Sequence, residues 1–122
     1  KGGIDTERLV AISSPAGLET IVDSFCRMHG IPDRRNEIMD GIESGYGFPR
    51  EAYSTISAAR SLNARLLIVH DRDDPVVPFA DAEKVHAACL TARLVMTEGA
   101  RHREILANRI MLRAVREFFE NI

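Results

Sequence analysis

The run Leu66-Leu67-Ile68-Val69 contains no side chain that gains by facing water. Successive residues of a β-strand point to opposite faces, so a strand built from this run has to be covered on both. Parallel sheets with helices packed on either side meet that condition, and half-solvated antiparallel sheets do not. Charge gathers where the run stops: His70-Asp71-Arg72-Asp73-Asp74 comes next, followed by the proline-bounded Pro75-Val76-Val77-Pro78. In open parallel sheets, ligands and reactive groups collect in the crevice beyond the carboxyl ends of the strands. The sequence thus sets a polar cluster where a binding crevice is expected.

Neighbouring segments supply the rest of such a sheet. Leu9 to Ile12 is a short apolar run closed by Ser13-Ser14-Pro15, and Arg93 to Thr97 reads as a third strand. From Gly17, Leu18, Ile21, Val22, Phe25 and Met28 recur at helical spacing and stop at Gly30. Asp33 is placed to cap a second helix carrying Ile38, Met39 and Ile42, and Pro49 opens a third with Ala52, Ile56, Ala59 and Leu62 inward. One helix suffices to join parallel strands, so the additional ones predict a lid-like insertion. Phe79 to Leu90 follows the second strand as a helix, and a long last helix carries Ile105, Leu106, Ile110, Leu112, Val115, Phe118, Phe119 and Ile122 on a wide apolar face. This order predicts an α/β fold: a three-layer αβα sandwich, with a short parallel sheet, flanking helices and a helical lid-like insertion. A sheet of so few strands leaves an edge open, and pairing of two copies through that edge, a homodimer, is expected.

Composition narrows the function. With 122 residues, 45% of them hydrophobic, the chain has the size and make-up of one soluble globular domain. A formal net charge of -2 provides no basic footprint for a nucleic-acid backbone. No apolar run approaches the roughly 20 residues that cross a bilayer, so no membrane partner and a cytoplasmic location are expected. Cys26 and Cys89 lie far apart without ligand spacing and are expected as core or helix-surface thiols. The chain begins Lys1-Gly2-Gly3 without an initiator methionine and runs almost at once into a strand, which suggests a piece of a longer protein.

The stretch "LLIVHDRDDPVVPFADAEKV", followed after the next strand by "LVMTEGARHREIL", resembles the C-terminal part of α/β-hydrolase-fold serine hydrolases. In that family a strand ends in a His-Gly-x-x-Asp-x-x-Val-Pro pattern, and a later Gly-x-Gly-His loop supplies a histidine. The resemblance implies that Asp74 is the triad acid and His102 the triad base. It covers Leu66 to the C-terminus closely and Leu9 to Leu62 more loosely. It divides a single domain, residues 1–122, into lid-like helices at 16–62 and acid- and base-bearing strands and helices at 63–122. Such a triad needs no cofactor or metal, and a small-molecule substrate is implied. Its serine normally sits upstream on a Gly-x-Ser-x-Gly elbow, and no serine of this chain has glycine both two before and two after. The chain is therefore expected to supply acid and base to an esterase-like acyl hydrolase and to be inactive alone.

Two positions depart from the pattern. Asp71 stands where glycine is usual after His70, and Arg101 stands where glycine usually precedes His102. A bulky Arg101 is expected to crowd the loop or to pair with Asp71 or Asp73. Plainer readings stand beside these. Asp74 also suits an Asp-Pro turn, and His70 suits a satisfied structural histidine. Asp71 and Asp73 read as solvent-facing loop acids, Ser13 and Ser14 as a loop turning into the lid, and His29 and His86 as helix residues without partners. Two further functions remain open: a non-catalytic domain of this fold that binds a partner or apolar ligand, and a metal site built from His70, Asp71, Asp73, Asp74 and His102.

Overall fold

The computed structural model describes residues 6–120. A first strand, β1 (Arg8–Ile12), leads into helices α1 (Leu18–Met28) and α2 (Arg35–Tyr46). A short helix, α3 (Thr55–Arg60), precedes β2 (Arg65–Asp71). Then come α4 (Phe79–Ala88), β3 (Arg93–Thr97) and α5 (Arg109–Glu120). The three strands pair in parallel in the order β1-β2-β3, with Ile12 beside Val69 and Asp71 beside Thr97. All three chain exits therefore lie at one end of the sheet.

β2 explains the layering. Leu66 and Ile68 pack with Ala59 of α3 and Ala82 and Val85 of α4, while Leu67 and Val69 pack with Met111, Ala114 and Phe118 of α5. The central strand is thus covered on both faces, as its composition requires, and the result is a three-layer αβα sandwich. β1 and β3 each keep one side unpaired among the described residues. No described helix is long and apolar enough to cross a membrane.

Several elements differ from the sequence expectation in physically clear ways. The helix expected from Pro49 splits into a 3-10 turn, Arg50–Tyr53, and α3, because Ser54 turns extended and its hydroxyl accepts from the Ser57 N–H at 3.1 Å as an N-cap. The long last helix likewise breaks. Asn108 Oδ1 accepts from the N–H groups of Ile110 and Met111 and starts α5 afresh, leaving Ile105 and Leu106 in a preceding 3-10 turn. Ile122 lies outside the described residues. Asp33 sits in a 3-10 turn and makes no side-chain cap.

α1 is the largest departure. Leu18, Val22 and Cys26, not the whole expected stripe, are buried against Met39 of α2, while Ile21, Phe25 and Met28 stay exposed. α3 packs into the sandwich beside α4, so the part of 16–62 that stands apart as a separate helical layer is the α1–α2 pair. That pair is fastened by Asp81 of α4, whose buried carboxylate accepts from the Ala16 N–H at 2.8 Å and the Thr20 hydroxyl at 2.5 Å. Removing a buried acceptor strands both donors. Asp81→Ala is expected to lower unfolding free energy by about 1–3 kcal/mol and to speed amide exchange at Ala16. Urea unfolding and hydrogen exchange check this, and an Asp81→Ala protein with both unchanged contradicts it.

Candidate functional site

The turn after β2 is built around one carboxylate. Asp74 is the residue before Pro75, and its Oδ1 accepts from the backbone N–H groups of Val76 at 2.8 Å and Val77 at 2.9 Å. This is the Asp-Pro turn that the sequence allows. The other oxygen, Oδ2, accepts from Nδ1 of His102 at 2.8 Å. Turn former and histidine partner are therefore one residue with one oxygen for each task. The Asp74 side chain is fully buried and the His102 ring about one-third exposed.

A carboxylate accepts only, so Nδ1 of His102 carries the proton. In the neutral ring Nε2 is then the free lone pair. His102 borders an apolar cavity of about 380 Å³, shared with Pro15, Ile21, Phe25, Met28 and Val76. The exposed side of α1 is thus the wall of a pocket that opens onto the imidazole. His29 stacks on Phe25 with ring centroids 4.2 Å apart, and its Nδ1 donates to the Phe25 carbonyl.

The neighbouring acids are not the solvent-facing pair that the sequence suggests. Asp71 is completely buried. Its Oδ1 accepts from the Thr97 hydroxyl at 2.6 Å and the Ala100 N–H at 2.9 Å, and its Oδ2 from the Asp73 N–H at 3.0 Å. Asp73 is exposed but also engaged, accepting from the Gly99 N–H at 2.9 Å. Arg101 makes no ion pair with either acid among the described residues; Arg72 pairs with Asp73 and Glu98 instead. Arg101 adopts a left-handed backbone, φ 64°. That conformation costs a non-glycine residue roughly 1–2 kcal/mol, against about 0.5–1 kcal/mol of extra chain entropy for glycine, so Arg101→Gly is stabilising by about 1.5 kcal/mol at most.

His70 is buried, and its Nε2 donates to the Val77 carbonyl at 2.8 Å, while Nδ1 has no hydrogen-bond partner among the described residues. The expected structural histidine is satisfied at one nitrogen only. His86 also has a partner, the Ala92 carbonyl, contrary to the sequence reading. Cys26 and Cys89 are free, buried thiols. Ser13 follows β1 with φ 55°, and its buried hydroxyl has no hydrogen-bond partner among the described residues. It lies along the same cavity as His102, yet its oxygen is closed off from solvent. The proposed metal ligands do not converge, since their oxygens serve different N–H and O–H donors, and no group of three such side chains meets at one point among the described residues.

Burial pushes the Asp71 carboxyl up, but the Thr97 hydroxyl and the N–H groups of Arg101, Ala100 and Asp73 outweigh it and hold it below its ordinary value. A folded value below the unfolded one of about 3.9 means that Asp71 adds stability above that pH. The contribution is lost as pH falls through the lower, folded value. Asp71→Asn is therefore expected to flatten the loss of stability below about pH 4, measured by urea unfolding across acidic pH. An equally steep acid limb in the variant contradicts this.

No curated protein sequence matches the chain. Two solved structures from Mycobacterium tuberculosis are similar in fold. One is BpoC of strain H37Rv, described as a candidate non-heme bromoperoxidase, with a TM-score of 0.61 at 14% identity over 94% of this chain and 58% of its own. The other is Rv0554, with a TM-score of 0.62 at 14% identity over 96% of this chain and 57% of its own. The chain thus spans less than two thirds of either structure. Residues 44–121, well over half of the chain, match the family described as TAP-like protein. With the parallel sandwich and the paired loops at its strand ends, the chain belongs to this α/β-hydrolase family.

Proposed function

We propose that the chain carries the acid and base of a serine-hydrolase triad acting on ester-like or related acyl bonds. The observation that carries this reading is the 2.8 Å contact from His102 Nδ1 to a buried Asp74, which leaves Nε2 free beside the apolar cavity. Nε2 takes the proton of a serine hydroxyl as that oxygen attacks the acyl carbon. The imidazolium, stabilised by Asp74, returns the proton to the leaving group. Water then repeats the sequence against the acyl-enzyme, releasing acid and serine.

The serine lies outside these residues. No Gly-x-Ser-x-Gly occurs here, and the Ser13 hydroxyl is buried. The chain alone is therefore inactive as a hydrolase. Ester hydrolysis, carbon–carbon hydrolysis and acyl transfer all use this pair, so the pocket selects among them. Ile21, Phe25, Met28 and Val76 suit an uncharged, apolar substrate group. A non-catalytic binding domain would use the same pocket without the pair. Self-association along an open sheet edge accompanies this reading, and sedimentation velocity tests it: a strictly monomeric profile at high concentration contradicts it.

In the whole protein that contains this chain, Asp74→Asn or His102→Ala is expected to lower kcat by roughly three to four orders of magnitude with the fold retained. Near-normal turnover in both variants overturns the triad reading. Phe25→Asp is expected to cut kcat/KM for apolar esters roughly tenfold or more. Equal rates on apolar and charged esters, unaffected by that change, contradict the substrate class.

A further inference from the structure

We infer that Asp71 is a positioning residue for His102, acting through the backbone of the loop that follows β3. The inference rests on the Asp74–His102 reading above, and the two can fail separately. Among the described residues His102 has a single side-chain tether, Asp74, and its ring is partly exposed. Where the imidazole stands is therefore set by the preceding backbone. That backbone contains two left-handed residues, Gly99 at φ 73° and Arg101 at φ 64°. Glycine adopts this conformation freely and arginine does not.

Something must hold the turn closed against the arginine's preference, and the Asp71 carboxylate is placed to do it. It is buried at the end of β2, in register with Thr97, and accepts from the Thr97 hydroxyl and the Ala100 N–H. Opening the turn would take the Ala100 N–H from a buried anion and leave it the Thr97 hydroxyl and the Asp73 N–H alone, a loss that opposes release of the strain. The two residues that stand where this family usually has glycine are therefore linked through Ala100, whose N–H Asp71 holds next to Arg101. Asp71 supplies the restraint that Arg101 makes necessary. The Asp73 contact to Gly99 fastens the other end of the same turn.

The test is nitrogen-15 NMR of the 122-residue chain, following the Nδ1-bound proton of His102 and the tautomer of its ring. Asp74→Asn removes the acceptor and is the control that identifies the signal; its absence in the unaltered chain refutes the Asp74–His102 contact itself, and with it this inference. In Asp71→Asn the signal is expected to vanish, or its lifetime against exchange to fall at least tenfold, in protein that is still folded. Adding Arg101→Gly is expected to restore it, because the turn then needs no restraint. A folded Asp71→Asn chain with an unchanged lifetime and tautomer overturns the inference, as does a loss that Arg101→Gly fails to repair. Should Asp71→Asn not fold, Thr97→Val decides: it keeps the anion and removes one donor, and a severalfold shorter His102 lifetime is expected. An unchanged lifetime there refutes the role. A purely structural Asp71 would alter the melting temperature and leave the His102 signal of the folded molecules as it was.

Discussion

A carboxylate deprived of water has to be surrounded by donors, and the carboxyl end of β2 buries two, Asp71 and Asp74. Neither finds enough donors on its own strand. Asp74 takes two backbone N–H groups from the turn it initiates and a third donor from His102, while Asp71 draws on Thr97, Ala100 and the N–H of Asp73. Satisfying the pair therefore brings the loop after β3 over the end of β2. The Asp74–His102 contact is thus one of the contacts that make burial tolerable.

The sheet frame was legible because it depends on local composition. Leu66 to Val69 reads as a strand covered on both faces, and the Asp74-Pro75 turn and the His102 loop each lie within a few residues of a strand end. What stayed hidden depends on partners distant in sequence. Asp71 reads as a loop acid until its donors, 26 and 29 residues away, are seen. The signal that could have found it was its place in a position usually held by glycine. Asp81 is another such case: nothing beside it in sequence reveals that it fastens α1.

Helix periodicity misled where it could not tell a core from a pocket wall. Ile21, Phe25 and Met28 share α1 with Leu18, Val22 and Cys26, and all of them read as apolar. Only the second group is buried, against Met39; the first borders the cavity beside His102. Apolar residues on both sides of one helix are what a cover needs when it packs on a neighbouring helix and also faces an apolar ligand. Packing, pocket and imidazole are joined through that single helix.

Whether this chain holds acid and base but not the nucleophile is decided by covalent labelling with a fluorophosphonate serine probe read by intact mass. It would be applied to these 122 residues and to the whole protein containing them. The expected result is a single adduct on the whole protein, at a serine outside this chain, and none on the chain alone. An adduct on the isolated chain, at Ser13 or any other of its serines, would contradict the claim and place the nucleophile within it.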